Sequence, residues 1–102
     1  MKEPKEKKKQ TFKRPVDIDT ALRIYYTYPE IGNAEIRELF GPISSRTAVR
    51  YKEAVKEEQI KEGIYTSQQF TVNTEIAYKV WGIDVEDLEK RRDKLKKLGL
   101  SA

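Results

Sequence analysis

The side chains best suited to recognition chemistry lie together in one stretch, FGPISSRTAVRYK, residues 40–52. A Gly-Pro turn leads to Ser44 or Ser45 as the cap of a new helix, and Arg46 and Arg50 fall in that helix's first two turns. A helix start carries partial positive charge, so a solvated helix favours acids there and bases at its end, each worth about 0.3–1 kcal/mol. Here the order is reversed. Ser44 to Lys52 holds three basic residues and no acid, whereas Glu53 to Glu62 holds four acids against two lysines. That placement makes sense where the helix start meets an anion.

Composition removes other chemistries. The 102 residues include no Cys and no His, which excludes disulfides, Cys or His metal sites, thiolate nucleophiles and imidazole bases. No cluster of carboxylates or lysines suggests an active site, so no enzyme activity, metal or cofactor is expected. The opening MKEPKEKKKQ has no apolar targeting core, and no apolar run approaches a membrane span, so the expectation is a soluble, cytoplasmic protein. The formal charge of +4 is uneven: residues 1–15 carry seven Lys/Arg against two Glu, and residues 16–102 fourteen against fifteen acids. The body is therefore close to neutral, and the case for an anionic partner rests on where its charges sit.

The elements that position the stretch follow from periodicity and punctuation. Residues 1–15, lysine-rich and ending at Pro15, read as a disordered basic arm, either a solvated tail or a phosphate-contacting one. A first helix is expected in DIDTALRIYYTYPE, where Ile18, Ala21, Leu22, Tyr25 and Tyr26 recur at helical spacing, Asp17 or Asp19 can cap, and Pro29 stops the winding. Asn33 is expected to cap a short second helix, AEIRELF. The third runs to about Glu62 with Ala48, Tyr51 and Val55 inward and Gly63 at its end. Residues 64–72 read as an extended connector or one short strand, too few for a two-stranded wing. Asn73 then caps TEIAYKVW, Gly82 interrupts, and a charged helix begins at Asp84 or Val85.

A period of about forty residues links the two regions. Asn33-Ala34-Glu35-Ile36 matches Asn73-Thr74-Glu75-Ile76, Phe40-Gly41 matches Trp81-Gly82 after a shift of one, and Ile43 matches Ile83. The second unit's last helix starts DVEDLE, the dipole-matched order, which would repel phosphate. Its Val85, Leu88, Leu95 and Leu98 form an incomplete apolar stripe suited to packing on the first unit or to a partner helix, and Trp81 reads as a core anchor.

The residues NAEIRELFGPISSRTAVRYK resemble the motif of helix-turn-helix DNA-binding proteins of the homeodomain-like three-helix type, with Ile36, Gly41, Ile43, SSRT and Ala48 at the motif positions. Two departures stand out: Pro42 lengthens the turn by one residue, and Arg37, four residues before Gly41, occupies a place where the family prefers a small residue. The resemblance implies an all-α fold, with a three-helix helix-turn-helix domain at 16–63 followed by a smaller helical hairpin unit at 64–102. It further implies that the helix at about 45–62 lies in the major groove of double-stranded DNA. Arg46 and Arg50 would then read bases, Val49 would touch a thymine methyl, and Thr47 and Glu53 would share that exposed start. Ser44, Ser45 and Lys52 would position phosphates, Asn33 would be a further anchor, and Lys13 and Arg14 would contact DNA from the arm. Tyr51 reads as core.

The function so implied is a sequence-specific DNA-binding protein, a transcriptional regulator or a recognition factor of a mobile element or phage. A homodimer through the C-terminal helix would double the contacts of one small reading head. The alternative is a helical protein-interaction adaptor that does not bind DNA, which the near-neutral body favours. Membrane docking of the lysine tail is weaker still, since no apolar anchor adjoins it.

Overall fold

The computed structural model describes residues 12–66 and 70–99, and each helix begins where a side chain can satisfy its orphan amides. Helix α1 (Ile18–Thr27) is capped by Asp17, which accepts the Thr20 amide at 2.7 Å, and a short strand β1 (Glu30–Ile31) follows Pro29. Helix α2 (Asn33–Phe40) corrects one expectation: Gly32, not Asn33, is the N-cap. The cap is closed from inside the helix, because the Glu35 carboxylate reaches back to the Gly32 amide at 2.8 Å. Helix α3 (Ser45–Glu62) starts at the Ser44 cap and ends on the left-handed Gly63. Strand β2 (Val72–Asn73), helix α4 (Thr74–Trp81) and helix α5 (Val85–Lys97) complete the chain, with Asn73 and Asp84 as caps.

The fold is mostly helical, with one addition that the periodicity of the sequence did not show. β1 and β2 pair antiparallel, Ile31 opposite Val72 and Glu30 opposite Asn73. Each strand leads into an eight-residue helix, so the pairing joins the two helical units at matching points. α2 and α4 register at a spacing of 41 residues, and the turn after α2, residues 41–44, is one longer than the turn 82–84. Asn33 and Asn73 are consequently not equivalent: one is the first residue of a helix and the other a cap.

One cluster of buried side chains runs through both units. It joins Ala21 and Ile24 of α1, Ile36, Leu39 and Phe40 of α2, Ala48, Tyr51 and Val55 of α3, and Ile76, Ala77, Tyr78 and Trp81 of α4. Two buried polar side chains in or beside it bond to the backbone, as burial favours. Tyr78 Oη donates to the Ala21 carbonyl at 2.6 Å, and the buried Gln59 side chain accepts the Asn73 amide at 2.6 Å, tying β2 to α3. Burial pushes the Tyr78 phenol well above its usual range. α5 lies along α1 and buries no residue completely. Val85 and Leu88 pack against the core and Tyr26 hydrogen-bonds Glu89, so the first half of the apolar stripe takes the packing alternative, while Leu98 is exposed at 70%. Residues 12–15, expected within the disordered arm, pack on the body; the rest of that expectation lies outside the described residues.

The turn glycines differ in what they tolerate. Gly41 has φ 86° and ψ −169°, a region open essentially to glycine, and an added Cβ would lie 3.2 Å from Val16 Cγ1. Gly82 is an ordinary left-handed cap at φ 76° with no atom within 4 Å of an added Cβ. Gly41→Ala should therefore lower unfolding free energy by about 1–3 kcal/mol, and Gly82→Ala by about 1 kcal/mol, the cost of a left-handed alanine. Urea denaturation of the two variants checks the order.

Candidate nucleic-acid interface

α3 has two faces set by its pitch. Ala48, Tyr51, Val55 and Gln59 point inward, and one turn around lie Arg46, Val49, Arg50 and Glu53, all exposed, with Val49 at 43%. The first turn of α3 holds no acid. Arg46 makes no ion pair among the described residues, and the Arg50 guanidinium lies 5.1 Å from the centroid of the Tyr51 ring. An arginine over an aromatic face keeps its donors in the guanidinium plane and is held off other rotamers.

The hydroxyls at the start of α3 are not equivalent. Ser44 Oγ accepts the Thr47 amide and donates to Thr47 Oγ1, both at 3.0 Å, so its bonding capacity is largely taken by the cap. Ser45 Oγ accepts from Arg37 Nη2 at 3.1 Å, and its own proton remains available to an outside acceptor. Thr47 keeps its hydroxyl proton as well, since its oxygen is the acceptor of the Ser44 bond.

The arm's root arrives at the same place. Phe12 packs edge-on against Tyr51 with ring centroids 4.9 Å apart, and the Lys13 amide donates to Tyr51 Oη at 2.9 Å. Lys13 and Arg14 are exposed there, and the chain then enters the body through the Val16 amide bonded to the Leu39 carbonyl at 2.8 Å. Tyr51 is thus a core residue, as expected, and also the post to which the arm is fastened.

Two expected contacts do not join this surface. Lys52 is only 8% exposed, and its ammonium donates to the Phe70 carbonyl at 3.2 Å. Burial, with Lys56 nearby, lowers its pKa from the usual lysine range. The reason is position: Lys52 lies four residues after Ala48 and three before Val55, inside the inward arc. Asn33 sits at the opposite end of α2 from the turn, about 10 Å along the axis, and its Oδ1 is buried without a hydrogen-bond partner. What sequence reasoning missed is Arg37, whose guanidinium spans the turn, and Phe12, the lone aromatic of the arm, whose isolation among lysines was the available signal.

Comparison with protein-family models, with curated proteins and with solved structures returns no match. Among the described residues, no helix is long and apolar enough to cross a membrane, and no three His, Cys, Asp or Glu residues are grouped to hold a metal ion.

The Tyr51 hydroxyl and ring have separable roles. Tyr51→Phe should cost about 0.5–1.5 kcal/mol and raise hydrogen exchange at the Lys13 amide while the core stays intact. Tyr51→Ala should cost about 3–5 kcal/mol. Amide exchange and chemical denaturation measure the two effects.

Proposed function

We propose that this chain is a sequence-specific DNA-binding protein, a transcriptional regulator or DNA-recognition factor, in which α1 to α3 act as a three-helix helix-turn-helix unit. The observation that carries the reading is the outward face at the start of α3, where Arg46, Val49 and Arg50 stand together ahead of the first acid, Glu53, and beside the root of a lysine-rich arm. Arginine can fork onto guanine O6 and N7, and Val49 offers a methyl-sized contact to thymine. Ser45 and Thr47 supply hydroxyl donors for phosphates, and Lys13 and Arg14 lead the arm along the same backbone or into the minor groove. Val85 and Leu88 of α5's apolar stripe are taken up by the chain's own core, so a homodimer through that helix would rest on Leu95, Leu98 and charged groups.

A second reading has an observation of its own. Ile60, Tyr65 and Phe70 are exposed large apolar residues away from the start of α3, at 68%, 80% and 70%, and they suit a protein partner.

Titration of the full chain against a random duplex at about 50 mM and about 200 mM salt separates the readings, because neutralising several phosphates makes affinity fall steeply with salt. Arg50→Ala should weaken binding to the preferred site by about 1–3 kcal/mol and relax specificity at one position. A protein that ignores duplex at the lower salt is not a DNA binder, and the adaptor reading then stands.

A further inference from the structure

The two turns are closed in different ways. After α4, the backbone does it: the Gly82 amide bonds the Lys79 carbonyl at 3.3 Å and the Ile83 amide bonds the Tyr78 carbonyl at 2.8 Å, a Schellman-type ending. After α2, the Gly41 amide bonds the Arg37 carbonyl at 2.8 Å, but Pro42 stands where Ile83 stands and has no N–H to give. A side chain supplies the missing closure. Arg37 Nε donates to the Ile43 carbonyl at 3.3 Å and Nη2 to Ser45 Oγ at 3.1 Å, so one planar fork holds both the turn and the first residue of α3. In α4 the residue four before the glycine is Tyr78, whose hydroxyl is used on Ala21, and among the described residues no side chain of α4 is hydrogen-bonded to the following turn or to α5.

The fork appears only in the unit whose following helix starts with arginines, and it ends on a hydroxyl of that start. We propose that Arg37 is a positioning residue of the α3 surface: it fixes the first turn of α3 and leaves the Ser45 hydroxyl proton directed outward as a donor to a phosphodiester oxygen. This rests on the DNA-binding reading. Arg37 acts through Ser45 and the turn and does not itself touch DNA, and the small residue preferred by the helix-turn-helix motif is replaced here because a longer turn needs a long, two-pronged side chain.

The probe is a duplex selected by the parent protein from a random library, and the readouts are affinity, its salt slope and thermal unfolding. Arg37→Lys keeps the charge and loses the fork. The expected result is about tenfold weaker binding with an unchanged salt slope, and no further loss when Arg37→Lys is added to Ser45→Ala. Full affinity in Arg37→Lys combined with a salt slope reduced by about one in Arg37→Ala would mean a direct phosphate contact and would overturn the proposal. So would a lowered unfolding temperature with undiminished binding by the folded variants, which marks a purely structural clamp. Arg46→Ala and Arg50→Ala separate the two levels. If they weaken binding to the selected duplex and Arg37→Lys does not, only the positioning role fails; if none of them does, or no duplex is selected, the DNA-binding reading itself has failed.

Discussion

Tyr51 sits where four parts of the chain must meet. Its ring takes the edge of Phe12, lies 5.1 Å from Phe40 and 6.1 Å from Trp81 by centroid, and has the Arg50 guanidinium over it. Its carbonyl accepts the buried Trp81 indole N–H at 3.2 Å, and its hydroxyl accepts the Lys13 amide. Aromatic pairs of this kind add about 0.5–1.5 kcal/mol each beyond the area they bury, so the cluster is a large share of what a thin core can offer. It also fixes a relation. The arm's root, the second unit and the basic start of α3 are all referenced to one residue, and their mutual placement is as rigid as the packing around it.

Around that point the chain builds similar halves from strand, short helix, glycine turn and helix. The β1–β2 pair joins the halves at Ile31 and Val72, and Thr74 ties the second to the end of the first: its amide bonds the Pro29 carbonyl at 3.0 Å and its hydroxyl the Tyr28 carbonyl at 2.6 Å. Phe40 and Trp81, equivalent residues at the ends of α2 and α4, meet at 5.2 Å. Shared scaffold makes the differences informative, because packing demands are alike and only the surfaces diverge. α5 starts with Glu86 and Asp87 in its first turn, the arrangement a solvated helix favours; α3 does not.

The helices were legible because caps and apolar spacing are local: Asp17, Ser44, Asn73 and Asp84 each begin a helix, and Gly41, Gly63 and Gly82 each end one. The inward row of α3 followed from the same spacing, and Lys52 should have been read with it, since a lysine stem fits a buried arc when its ammonium finds a carbonyl. Gln59 lies four residues after Val55 and belongs to that row too. The sheet was not legible, because two-residue strands carry no periodicity and their pairing spans some forty residues. Nor was the role of Arg37: a departure from a motif says that something differs, and only the missing N–H of Pro42 together with the reach of the guanidinium says what.

The reversed charge order of α3 divides into two problems with different answers. Two of the four acids of its second half have a structural partner, since Lys79 of α4 lies 2.8 Å from Glu62 and 3.8 Å from Glu58. That contact draws the Glu62 carboxyl below and the Lys79 ammonium above their usual ranges, each chiefly through the hydrogen bond between them. Exposed pairs add little net stability, but holding Lys79 of α4 is reason enough for acids at Glu58 and Glu62. At the basic start, Arg46 is the residue that packing does not explain. Arg46 has no acid to answer it among the described residues, and Arg50 leans on a ring that already has three aromatic neighbours. Setting aside the acids that Lys79 answers leaves a smaller anomaly than the whole helix suggested, centred on the first two turns, and it is on those two turns that the arm's root and the Arg37 fork converge.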